Sequence, residues 1–221
     1  MTDANRTPAD AVCALVSGGL DSCALLAHLA QRYRHVYPLF IRQGLRWESA
    51  EERALRRFLR AIHSHQIKPL TVIRQPIGNL YGNHWSLTGR GVPDRKSPDA
   101  AVYLPGRNLM LLTNAAVFCA KHRIPYIALG SLAHNPFPDA SPTFFRLFSR
   151  LAARALGQPL IVLAPFRSLS KTDVLRRYRR FPLHLSFSCI NPKRGRPCQR
   201  CNKCAERAAA YRDAHIIAAK P

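Results

Sequence analysis

The stretch Ser17-Gly18-Gly19-Leu20-Asp21-Ser22 decides how this chain folds. An apolar run over residues 11–16 leads into it and reads as a buried strand. Residues 23–30 follow it and read as a helix. A strand, a Gly-Gly turn and a helix aim backbone N–H groups and the positive end of a helix dipole at an anion. The glycines allow the sharp turn and let a phosphate approach the backbone closely. The Ser17 and Ser22 hydroxyls can donate to phosphate oxygens. Asp21 repels a phosphate, so it makes sense there as a ligand of Mg²⁺ held against the phosphates. The loop lacks G-x-x-x-x-G-K-[ST], and no lysine follows its glycines, so it is not a Walker loop.

Outward from this unit, apolar runs at 35–42, 69–73, 125–130 and 159–164 read as four more strands. Helices are predicted at 48–63, 106–122, 143–156, 171–180 and 205–215. In the first of these Ala50, Ala54, Phe58 and Ile62 share one face, with Glu51, Glu52, Arg56, Arg57 and Arg60 elsewhere. Ser170 and Asp173 form a capping box. The alternation predicts an α/β fold: a doubly wound, mainly parallel five-stranded sheet with right-handed crossovers. Ligands should bind beyond the carboxyl ends of the strands. The loops at 17–22, 43–47, 75–104, 131–142 and 165–170 should therefore converge on one site. Residues 75–104 have no sustained period and hold Tyr81 and Trp85, which suits a lid with Trp85 packed inside it.

The chain has 221 residues, 47% of them hydrophobic, enough for one core and an appendage. No apolar run reaches the roughly 18 residues of a membrane span. The polar amino terminus has no leader-like apolar segment. Seven cysteines in that context suggest a reducing, cytoplasmic setting. The net charge of +22 would attract polyanions, or reflect an arginine-rich composition.

Cys189, Cys198, Cys201 and Cys204 form C-x8-C-x2-C-x2-C. Two C-x2-C steps bring thiolates within reach of one tetrahedral ion. Four ligands make a structural zinc site the expectation, with an iron–sulfur cluster as the chemical rival. Lys193, Arg194, Arg196, Arg200, Lys203 and Arg207 offer a cationic shell for the thiolates. Cys13, Cys23 and Cys119 lie on apolar stretches and read as core. His84, His134 and His184 stand isolated, as ordinary satisfied or exposed histidines do.

The loop resembles the pyrophosphate loop, S-G-G-x-D-S, of the ATP pyrophosphatases. With the cysteine cluster, the chain is similar to the 7-cyano-7-deazaguanine synthase family. Three further stretches carry the likeness: Leu104-Pro105-Gly106-Arg107-Asn108, Asn135-Pro136-Phe137-Pro138-Asp139-Ala140-Ser141-Pro142, and Leu169-Ser170-Lys171. The resemblance implies that residues 1–180 form an ATP-binding domain and 181–221 a zinc-binding segment with a terminal helix. It implies ATP, Mg²⁺ and Zn²⁺ as cofactors, and a deazapurine carboxylate and ammonia as substrates. Residues 16–22 (Val16, Ser17, Gly18, Gly19, Leu20, Asp21 and Ser22) would bind ATP. Asp21, Lys171 and Arg107 would act in catalysis, and Arg107, Asn108, Asn135 and Asp139 would meet the substrate.

The family's D-Y-G-Q-R-H is Arg42-Gln43-Gly44-Leu45-Arg46-Trp47 with Glu48 here, without the acid and the histidine. A paralogue that passes an adenylated carboxylate to protein or nucleic acid is therefore a second reading. A basic, zinc-stapled nucleic-acid-binding module is a third. No membrane partner is expected; a polyanion, a protein acceptor and a homodimer stay open.

Overall fold

The computed structural model describes residues 9–133 and 135–216. Most of the stretch read for a leader, and His134, lie outside them. The strands are β1 (Ala9–Leu15), β2 (Tyr33–Arg42), β3 (Thr71–Arg74), β4 (Tyr126–Leu129) and β5 (Ile161–Leu163). The helices are α1 (Leu20–Ala30), α2 (Glu48–Ile62), α3 (Gly78–Tyr81), α4 (Trp85–Thr88), α5 (Arg107–His122), α6 (Pro142–Leu156), α7 (Lys171–Arg177) and α8 (Asn202–Asp213). Short 3₁₀ turns lie at Asp99–Val102, Pro138–Ala140 and Leu183–Leu185.

All five strands run parallel in the order β3-β2-β1-β4-β5. The order reverses between β1 and β4, so a crevice opens where their carboxyl ends part. Alternation along β1 divides the core. Val12 and Ala14 pack with α1, α2, α7 and α8, while Cys13 and Leu15 pack with α5 and α6. Residues Leu183, Ala210, Tyr211 and Ala214 join the first of these clusters.

A third apolar cluster lies above the strand ends. It unites Trp47, Ala50 and Ala54 with Val102 and Leu104, and with Phe187, Cys189, Ile190, Cys201 and Cys204. The long 75–104 stretch is thus sewn to the cysteine segment. Asp94 bridges Cys201, and Asn202 donates its backbone N–H to Pro93 and its amide to Ser97. Trp85 stacks on buried Trp47 at 5.8 Å.

The expected element edges shift in places. α1 starts at Leu20, because Gly19 is its N-cap, so Asp21 and Ser22 belong to the first helical turn. α7 ends at Arg177; Tyr178 caps it three residues before the Phe181-Pro182 step. α8 starts at Asn202, inside the cysteine cluster. Glu51 and Glu52, expected off the apolar face of α2, are buried. No helix among the described residues is long and apolar enough to cross a membrane.

Candidate functional site

A cavity of about 370 Å³ fills the crevice. At its floor the 17–22 loop is held by its own serines. Ser22 Oγ accepts from Ser17 N–H at 3.1 Å, and Ser17 Oγ accepts from Gly19 N–H at 3.2 Å. Gly18, at φ +83°, accepts at its carbonyl from the N–H of Phe187. The first-turn N–H groups of α1 have no helical partner and face the crevice.

Lys171, at the start of α7, reaches into the same floor. Its Nζ lies 3.2 Å from Asp21 Oδ2 and 2.8 Å from Glu206 Oε1. Glu206 also holds Lys203 at 2.8 Å, and Lys203 stands 3.5 Å from Asp99. Burial alone would push the Lys171 ammonium down. Asp21 and Glu206 more than reverse that and hold it above the ordinary lysine range. For Glu206 the burial penalty is overcome by Lys171 and Lys203, which bring the carboxyl to about 2. Asp21 goes the other way: burial raises it, and Lys171 only partly offsets this. Asp21 Oδ1 is buried with no partner among the described residues. An orphaned carboxylate oxygen beside a phosphate loop fits a Mg²⁺ ligand.

At the other wall Arg107 donates from Nε to Gln43 Oε1 at 3.1 Å, and Gln43 is fully buried. Glu48 accepts from the N–H groups of Gln43 and Gly44 at 2.5 and 2.9 Å. This carboxylate clamp shapes the 43–47 loop that carries Trp47 to the cavity. Asp139 is buried and accepts from Asn108 N–H at 2.9 Å, so it caps the amino end of α5. Burial raises its carboxyl and Asn108 partly offsets that. Asn135 is exposed at the rim and accepts from Phe137 N–H. Tyr103 stacks on Phe137 at 5.0 Å, and this pair and the Trp47–Trp85 pair both line the cavity.

The sulfurs of Cys189, Cys198, Cys201 and Cys204 lie within 4.8 Å of one another. Cys189 and Cys201 are 3.9 Å apart. A tetrahedral ion with bonds of about 2.3 Å spaces its sulfurs at about 3.8 Å, so the four fit one metal ion. Backbone N–H groups of Asn191, Cys198 and Arg200 point at the sulfurs. The expected cationic shell needs correction. Lys203 turns into the cavity, and Arg207 braces Ser186 and stacks on Tyr211.

All the residues expected to bind ATP or substrate border the cavity except Gly18, which packs against Glu51 and Leu55 of α2. Glu48 borders it, as the 43–48 loop was expected to, and Glu51, Lys203 and Glu206 border it without having been anticipated. One signal was available: Lys203 and Glu206 share the three-residue step of the cysteines beside them.

The family model for queuosine biosynthesis protein QueC matches residues 11–215. A 7-cyano-7-deazaguanine synthase of Anaeromyxobacter sp. (strain Fw109-5) is 28% identical, covering 96% of this chain and 95% of its own. One from Xanthomonas oryzae pv. oryzae (strain PXO99A) is 31% identical, covering 91% and 93%. Among solved structures, a 4-thiouridine synthetase–RNA complex with bound ATP gives a TM-score of 0.50 at 16% identity, covering 93% of this chain and 50% of that one. The U34-tRNA thiolase NcsA from Methanococcus maripaludis, with its 4Fe-4S cluster, gives 0.51 at 11%, covering 92% and 65%. Both structures speak for the fold alone.

Proposed function

This chain belongs to the queuosine biosynthesis protein QueC family, and we propose on that premise that it makes 7-cyano-7-deazaguanine from 7-carboxy-7-deazaguanine, ammonia and ATP. The route runs through an acyl adenylate and an amide. One juxtaposition carries the reading: the 16–22 loop, Lys171 and Arg107 border a single cavity at the strand ends.

The loop N–H groups and the Ser17 and Ser22 hydroxyls take the terminal phosphates. Lys171 turns from Asp21 toward them. Asp21 would hold Mg²⁺, which neutralises phosphate charge while pyrophosphate leaves. Arg107 aligns the substrate carboxylate with the α-phosphorus, and its fork suits that shape. Asp139 and Asn135 face the guanine-like edge, an acceptor answering its donors. The aromatic pairs offer the ring a stacking surface. No side chain forms a covalent intermediate. Zinc is the ion we assign to Cys189, Cys198, Cys201 and Cys204, because an iron–sulfur cluster holds its cysteines farther apart. It would clasp residues 181–221 onto 1–180.

Mass spectrometry tests this: enzyme, ATP, Mg²⁺, ammonium and 7-carboxy-7-deazaguanine, with Asp21→Ala as control. AMP and the nitrile are expected, and the control makes neither. AMP with only adenylate or amide would favour transfer to a macromolecular acceptor. No AMP from metal-loaded protein would reject adenylation of this substrate and leave a binding role.

A further inference from the structure

Six carboxyl side chains line the cavity, and no histidine does among the described residues. Five are engaged. Asp21 holds Lys171, Glu48 accepts from two backbone N–H groups, Asp99 faces Lys203, Asp139 caps α5, and Glu206 holds both lysines. The Glu51 carboxyl alone has no hydrogen bond or ion pair among the described residues, although the residue is only 9% exposed. Its backbone packs under the phosphate loop, where a Cβ on Gly18 would come 2.3 Å from its carbonyl oxygen. It therefore stands beside the loop that would take the phosphates, within the field of Arg107.

We propose that Glu51 is the general base of nitrogen transfer, taking the proton that ammonia sheds as its nitrogen bonds to the acyl adenylate carbon. This rests on the reaction proposed above. The new bond is C–N; the C–O bond to phosphate breaks, and AMP leaves with the electron pair as its anion. The proton goes to Glu51 and then to solvent. The same carboxylate serves again when the adenylated amide closes to the nitrile. There nitrogen loses its last proton, the C–O bond to phosphate breaks, and AMP leaves.

The environment suits the role. Burial, opposed by Arg107 of α5 and reinforced by Glu48 of α2, pushes the Glu51 carboxyl up to about 8. From α1 the facing group is the Cys23 thiol, itself held up by burial and so uncharged. A base with affinity near the working pH transfers protons best. The five engaged carboxylates are committed to the partners named above.

The test is single-turnover conversion of preformed adenylate, with hydroxylamine as nucleophile because it is unprotonated across the pH range used. Wild-type hydroxamate formation should rise with pH through an inflection near 8. Glu51→Gln should be slower by roughly 10²-fold or more and flat with pH, and Glu51→Asp should restore part of the rate and an inflection. Full metal content of each variant shows that it is folded. Glu51→Gln matching the wild-type rate and inflection overturns the role alone. Wild type forming no adenylate overturns the underlying reaction and the role with it.

Discussion

Gly18 holds φ at +83°, and a Cβ there would also sit 3.1 Å from the Cβ of Leu55. Only glycine lets α2 lie this close beneath the loop, and that closeness buries Glu51. The burial has a thermodynamic signature. The unfolded chain releases the Glu51 proton near the ordinary 4.5, and the folded chain keeps it to about 8. The native state thus binds the extra proton between those values. Stability is full below about 4.5 and declines as pH rises to about 8. Glu51→Gln should remove that slope, so above pH 8 it gains roughly 2–4 kcal/mol over wild type. Urea unfolding of both proteins across the range checks it; parallel curves would show a carboxyl of ordinary acidity.

Helix α8 begins among the cysteines and delivers Lys203 and Glu206 to the cavity within two turns. Glu206 is the 2.8 Å partner that steadies Lys171. Glu206→Gln should raise KM for ATP roughly tenfold, about 1.4 kcal/mol, with metal content unchanged. Stripping the metal with a chelator should weaken ATP binding more, because it frees the whole helix end. An unchanged KM would mean that Asp21 suffices to hold Lys171. This coupling was hard to read from sequence, since Glu206 meets Asp21 through Lys171 across most of the chain. The Ser170–Asp173 capping box was legible, because both partners sit three residues apart. Glu51 and Glu52 were read only as lying off the apolar face of α2, because a helical period does not show what packs against the other faces. Glu52 is in fact buried between Arg42 and Arg56. The 75–104 stretch gave no period because its order comes from the cysteine segment.

Across the molecule the five parallel strands and the phosphate loop followed from local patterns, and the family reading from motifs scattered between residues 12 and 207. Charge was legible in amount but not in placement. Seven of the twelve acidic residues (Asp21, Glu48, Glu51, Glu52, Asp99, Asp139 and Glu206) are buried or line the cavity. The outer surface is left to arginine, as at Arg53, Arg56, Arg57 and Arg60 of α2. Such a surface repels itself, and salt screens it over about 10 Å at 0.1 M. The melting temperature should climb as NaCl rises from low to moderate concentration. A flat calorimetric series would show that the guanidinium groups are too far apart to repel. The ion chain from Asp21 to Glu206 has one more consequence, which concerns timing. A ribosome makes the loop first and the groups that complete its floor roughly 10–40 s later at ordinary elongation speeds. For that interval the nascent enzyme carries a phosphate cradle with no lysine across it. Nucleotide capture therefore becomes a property of the finished chain.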